Sequence, residues 1–200
     1  MATETTPPRR GRPRSAASEQ AILHAALDLM AEGQGPATLS IAAIARRAGA
    51  GKDTIYRRWP NKEDLLLEAL AQAGGPVGVP PGVGLRDGLV MILAEMIGRL
   101  QRERDRRILR SMQSADAGFP RLRERYHEQV VKRRVDAIKQ HVDAAVARGE
   151  LERDGFTRDM IEMPFHHVLT RALEDDPVQG DPTEAAGRLV DVVLRGIGAA

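Results

Sequence analysis

The chain has 200 residues, of which 42% are hydrophobic, 29% charged and 3% aromatic, and it has no cysteine. That length can bury one good core or two small ones, and the missing thiols exclude disulfides, thiolate zinc sites and a cysteine redox switch. The formal net charge of +2 hides an asymmetry, because residues 1–62 carry 10 Lys+Arg against 5 Asp+Glu while residues 63–200 carry 20 against 23, so one end alone is suited to a polyanion.

Ala, Leu, Arg and Glu dominate and β-branched runs are scarce, which predicts an all-α protein. No apolar run approaches the roughly 20 residues of a membrane span, and the arginine-rich start lacks the apolar stretch of a secretory signal. A soluble, cytoplasmic protein with no membrane partner is expected.

Residues 1–15 read as a flexible basic arm. Its "RRGRPRS" segment could place Arg10 and Arg12 in an A·T-rich minor groove, or serve only as a solubilising tail. A helix follows, with Ser15 or Ser18 as N-cap and Ile22, Ala25, Ala26, Leu29 and Met30 on one face. Gly33 and Gly35 end it. A shorter helix starts near Ser40, presents Ile41, Ile44, Ala45 and Ala48 on one side, and stops at Gly49.

The next stretch, "GAGKDTIYRRWPNK" at residues 49–62, contains a Gly-Lys pair but is not a phosphate loop. A Walker loop needs glycine where Arg46 stands and Ser or Thr where Asp53 stands. A third helix near Lys52 instead puts Ile55 inward as an apolar plug, with Lys52, Asp53, Tyr56 and Arg57 on or beside the outer face. Small Ala45 allows close approach, and Gly49 allows the positive φ of a tight turn. Pro60 closes this helix, and Asn61 caps a fourth with Leu65, Leu66, Ala69 and Leu70 as its apolar positions. The pattern is a helix-turn-helix with supporting helices on both sides.

The stretch "TLSIAAIARRAGAGKDTIYRRWPNKEDLL", residues 38–66, preceded by "AALDLMAEG", resembles the tetracycline-repressor (TetR) family of bacterial transcriptional regulators. The resemblance covers roughly the first third of the chain. It implies an all-α architecture, with an N-terminal three-helix domain containing the helix-turn-helix plus a C-terminal helical domain for ligand binding and dimerisation. It also implies that the hydroxyls of Thr54 and Tyr56, and the ammonium of Lys62, contact DNA phosphates, which position a protein without choosing a sequence.

Base reading falls to Lys52 and Arg57, both able to donate to guanine O6 and N7. Arg58, nearer the helix end, would meet a phosphate. Ser40 could cap its helix or bond a phosphate. Two residues depart from the family pattern. Gly51 stands where a Ser or Thr cap is common, and Trp59 replaces a smaller aromatic and is expected in the core. Asp53, facing the phosphates' own charge, would act as a local cap or accept from cytosine N4.

Residues 16–73 thus form the DNA-binding domain, and "GGPVGVPPGVG" at 74–84 is a connection that interrupts any helix. Residues 85–200 form the regulatory and dimerisation part, with helices expected at about 85–100, 104–114, 121–148, 157–174 and 182–198. The cluster "RLQRERDRRILR" at 99–110 interleaves Glu103 and Asp105 and reads as a solvated face with local ion pairs. Pro164 should kink or divide its helix.

In the last helix Asp181 is the N-cap and Pro182 the first residue. By resemblance this helix and the one before it pair with those of a second subunit, so Ala186, Leu189, Val190, Val193 and Ile197 are expected at a homodimer interface. One short recognition helix touches only a few base pairs, which independently argues for two half-sites. The family usually binds a small-molecule effector in this domain, and adaptable candidates for the pocket are Met91, Met96, Met112, Phe119, Met160, Met163, Phe165 and His166.

No cofactor or metal is expected. His166 and His167 lack a matched carboxylate and third ligand. Two other readings stand beside the regulator: a helical interaction protein with a nonspecific basic surface, and an enzyme without a recognisable motif.

Overall fold

The structure is a computed structural model that describes residues 13–75, 78–113, 120–151 and 158–196. Arg10, Arg12, Phe119 and Ile197 lie outside the described residues. Among those described there are helices and no strand. In chain order they are α1 (Pro13–Ala31), α2 (Ile41–Ala48), α3 (Lys52–Arg58), α4 (Lys62–Ala73), α5 (Leu85–Leu100), α6 (Glu103–Gln113), α7 (Pro120–Tyr126), α8 (Lys132–Ala147), α9 (Arg158–Leu173) and α10 (Pro182–Gly196). A π-helical turn, His127–Val131, joins α7 to α8 without a break, a feature that apolar periodicity does not reveal.

Local chemistry explains most boundaries. α1 already includes Pro13, inside the stretch expected to be an arm, so neither Ser15 nor Ser18 is its cap. At its other end Gly33 takes φ +95°. The amides of Gly33 and Gln34 return to the carbonyls of Met30 and Leu29 at 3.0 and 3.1 Å, a Schellman closure open chiefly to glycine. At α10 the Asp181 carboxylate accepts from the amides of Thr183 and Glu184, both at 2.9 Å, as the sequence indicates.

Pro164 does not divide its helix. α9 is continuous from Arg158 to Leu173; the ring costs the bond to the carbonyl four residues back, and packing carries the helix through, with Pro164 itself buried.

Two apolar clusters result. The first joins Ile22, Met30, Leu39, Ile44, Ile55, Trp59, Leu65 and Leu66, and it extends past the connection to Ile108, Leu122 and Val130. Leu67 belongs to it as well, although helical spacing alone would turn that residue away from Leu65 and Leu66; α4 has both α1 and α7 packed against it. The second cluster centres on α5, with Leu93 and Ile97 against α8, α9 and α10. Gly88 lets α8 lie close to α5, since a Cβ there would overlap the ring of His141.

The arginine-rich α6 is less local than its sequence implies. Arg104 donates to Asp28 of α1 at 2.6 Å, and Arg106 to Asp175 beyond α9 at 3.2 Å. The short-range pairs expected are also there, Arg107 with Glu103 and Asp105 with both Arg102 and Arg104.

Candidate DNA-binding surface and effector cavity

The helix-turn-helix is built from two caps and a plug. Ser40 Oγ accepts from the amide of Ala43 at 3.1 Å and starts α2. At the other end Gly49 adopts φ +63°, with Gly49 and Ala50 bonding back to Arg46 and Ala45. That left-handed residue turns the chain sharply into α3. Ile55 is fully buried beside Ile44 and Ala45, so α3 cannot roll, and its other side is fixed toward solvent.

On that outer side Lys52, Asp53, Tyr56, Arg57 and Arg58 are exposed and Thr54 is half-buried. Tyr56 leaves 51% of its surface in water, an unusual expense for an aromatic unless something covers it. Neither Lys52 nor Arg57 meets a carboxylate among the described residues. Asp53 makes no capping bond, and α3 starts at Gly51 without a side-chain cap, so the expected capping role of Asp53 is not found.

Two other cations are less available than their sequence positions imply. Arg58 turns toward the domain, 3.7 Å from Glu19 and 3.8 Å from Glu68, with its guanidinium carbon 6.0 Å from the Trp59 ring centre. Trp59 is core, as expected, at 2% exposure, and its Nε1 donates to Glu68 at 2.9 Å. The ammonium of Lys62 donates to the carbonyls of Leu39 at 2.7 Å and Ala37 at 3.3 Å. Burial lowers its pKa. Lys62 therefore ties the start of α4 to the segment leading into α2, a link between residues 23 apart in sequence that local spacing cannot disclose. Asn61 caps α4 by accepting from the amide of Asp64 at 2.9 Å.

The second site is a cavity of about 260 Å³ where the two apolar clusters meet. Leu70 and Ala73 of α4 form one wall, Met96 and Arg99 of α5 another, and Met112, Tyr126, Arg134, Phe165 and His166 close it. Of the expected pocket residues, Met96, Met112, Phe165 and His166 meet here. Met91 and Met163 do not: they lie on the surface, 46% and 61% exposed. Methionine type carries no direction, and the helix faces that decide are set by tertiary packing. Arg99 and Arg134, which enter the cavity, were not among the expected residues, because in sequence they belong to ordinary charge-rich stretches.

The expected dimer residues need correction too. Ala186, Val190 and Val193 are buried within the protomer, where α10 packs along α5. Leu189 is half-buried against the same cluster. A strongly amphipathic last helix has one apolar face, and here α5 occupies it. On α9 and α10 the large apolar side chains left in solvent are Met163 and Val192, the latter 63% exposed.

No helix among the described residues is long and apolar enough to cross a membrane, and no group of three potential metal ligands occurs among them.

Comparison with known proteins agrees with this anatomy. Residues 22–69 match the family described as bacterial regulatory proteins, tetR family, and residues 79–193 match the tetracyclin repressor-like C-terminal domain. An uncharacterised HTH-type transcriptional regulator of Mycobacterium tuberculosis is 31% identical over 178 residues, covering 88% of this chain and 85% of the relative. YdeS of Bacillus subtilis, of the same description, is 28% identical over 167 residues, covering 82% and 83%. Among solved structures, a TetR-family regulator from Mesorhizobium loti superposes with a TM-score of 0.68 at 18% identity, covering 92% of this chain and 98% of that one. FadR of Bacillus subtilis, solved in complex with stearoyl-CoA, gives 0.69 at 17% identity, covering 88% and 98%. Helix-turn-helix, second helical domain and both family matches lead to one conclusion: the chain belongs to the TetR family of bacterial regulatory proteins and is a DNA-binding transcriptional regulator.

Proposed function

We propose that the protein is a homodimeric repressor in the cytoplasm, reading an inverted-repeat operator and released from it by a small molecule. The observation that carries the DNA assignment is the outer side of α3, where Lys52 and Arg57 stand exposed with no anionic partner among the described residues while Ile55 locks the helix from behind. Lys52 and Arg57 read base edges. Thr54 and Tyr56 contact phosphates, and the Ser40 hydroxyl, which accepts from Ala43, keeps its proton for a phosphate oxygen. Lys62 and Arg58 act chiefly by positioning α2, α3 and Trp59.

Met163 and Val192, on helices that pack together, extend the dimer seam in place of the buried face of α10. Effector release follows from linkage, since a ligand that prefers the DNA-incompatible spacing of the two recognition helices must weaken DNA binding. The stearoyl-CoA complex of the similarly folded FadR supports a small-molecule ligand for this architecture.

The test is fluorescence anisotropy with a duplex from the protein's own upstream region and a scrambled duplex, over a salt series. The native chain should prefer the first, and Arg57→Ala should lose about 1–3 kcal/mol on it, the usual worth of a bidentate base contact. Its binding to scrambled duplex should hardly change. Equal losses on both duplexes would reduce Arg57 to a phosphate contact and remove the base-reading assignment.

A further inference from the structure

The effector cavity is mostly apolar, yet two guanidinium groups enter it, Arg99 from α5 and Arg134 from α8. Both are tied to the same place. Arg99 Nη1 donates to the carbonyl of Ala73 at 3.4 Å, and Arg134 Nη2 donates to that of Gly74. These carbonyls belong to the C-terminal end of α4, where unpaired C=O groups and the helix dipole gather negative partial charge.

The arrangement leaves the pair short of acceptors. Nε of Arg99 is the one buried side-chain nitrogen or oxygen among the described residues with no hydrogen-bond partner, and such an orphan calls for an explanation. Burial, then the like charge of Arg99, pushes the Arg134 guanidinium below its ordinary value. Neutral carbonyls offset the charge of two half-buried guanidinium groups only in part. The carboxylates nearby are occupied or exposed: Asp105 is held by Arg102 at 2.7 Å, Glu162 is already engaged, and Glu95, close enough to favour the charge on Arg134, faces solvent.

Resting on the reading of the chain as an effector-released regulator, we propose that the cavity takes an amphipathic monoanion, a carboxylate on a medium-length apolar chain, whose headgroup bridges Arg99 and Arg134 and draws them off the end of α4. The size fits a small occupant, because about 260 Å³ lies just below the roughly 300–1,000 Å³ of small-molecule sites. Leu70, Met96, Met112 and Phe165 receive the apolar part. The consequence reaches DNA through α4 itself. Its far end holds Asn61 and Lys62, and Lys62 is bonded to the segment entering α2; Glu68, midway, holds Trp59. Releasing the last carbonyls of α4 frees that helix to shift, and α2 and α3 move with it.

Isothermal titration of the full chain with decanoate, and with decanol as its neutral counterpart, tests the headgroup. Decanoate should bind at least ten-fold more tightly than decanol. Arg134→Met and Arg99→Met, each checked for folding by circular dichroism, should erase most of that preference, while Arg134→Lys should keep part of it. Emission of Trp59, the sole tryptophan, should change on adding decanoate. Failure of decanoate to bind, equal affinity for decanol, or a preference that survives both methionine variants would overturn the proposal. The wild-type comparison decides even if a variant does not fold. Ligand-free duplex binding, measured in parallel, separates this from the broader reading: a protein that discriminates its duplex but ignores the carboxylate loses only the inference about the effector.

Discussion

Replacing Lys62 by methionine separates two roles that the sequence merges. A phosphate-contacting lysine and a structural one look alike in the run "PNKEDLL", but here Nζ donates to Leu39 at 2.7 Å and to Ala37 at 3.3 Å. Methionine keeps the stem's packing and removes both bonds. Hydrogen bonds from a charged donor are worth about 1.5–3 kcal/mol. The second bond is long, and the ammonium already suffers from burial, so the net loss should be about 1–2 kcal/mol. For a chain of this size that corresponds to a Tm lower by about 2–8 °C.

The DNA prediction is the opposite of what a phosphate contact requires. Each phosphate neutralised contributes about 0.9 to the slope of log K against log salt. Lys62→Met should therefore melt earlier in a circular-dichroism scan and leave the anisotropy salt slope unchanged. A slope reduced by about that amount per protomer, with Tm unmoved, would refute the structural role and return Lys62 to the DNA surface.

Gly49→Ala should destabilise by about 1–2 kcal/mol, the cost of a left-handed conformation at a residue with a Cβ, since Gly49 sits at φ +63° with open space around it; a denaturant midpoint equal to wild type would contradict the strain argument. Met163→Glu combined with Val192→Glu should convert a dimer to monomers in analytical ultracentrifugation and weaken operator binding, with Tm nearly intact because both side chains lie in solvent; a dimer that persists would move the seam elsewhere. Stability should also fall in acid. Glu32 beside Arg47, Glu150 beside Arg148 and the amide of Leu85, Asp175 beside Arg110 and Arg106, and Asp191 beside Arg86 all have carboxyls held below their ordinary range by those donors. With folded values below unfolded ones, their contribution is fully present above the ordinary carboxylate range of about 4 and is lost as pH falls through the lower folded values. A Tm that stays flat from pH 6 to pH 3 would show these pairs to be inconsequential.

Much of the DNA-binding part was legible because its signals are short-range. Ser40, Gly49, Asn61 and Asp181 act within three or four residues of themselves, and Ile22, Ile44, Ile55 and Leu65 declare their faces by helical period alone. Backbone geometry converts such spacing directly into direction, so the outward side of α3 follows from the burial of Ile55. The roles of Lys62 and Arg58 did not follow in this way. Both side chains are long enough to turn either toward DNA or back onto the domain, and the choice depends on where Leu39, Glu19 and Glu68 arrive in space.

The second half shows the same division more sharply. Sequence alone determined that it is helical, where most helices begin and end, and that its last helix has one apolar face. Only the tertiary structure decided that α5 covers this face and leaves Met163 and Val192 in solvent, that Met91 points away from the cavity while Met112 and Phe165 line it, and that Arg99 and Arg134 converge on the end of α4. An amphipathic helix records how much surface must be buried but not against what, because apolar contact is non-directional and many partners satisfy it. The meeting of two arginines 35 positions apart is a property of packing, and no local pattern along the chain encodes it.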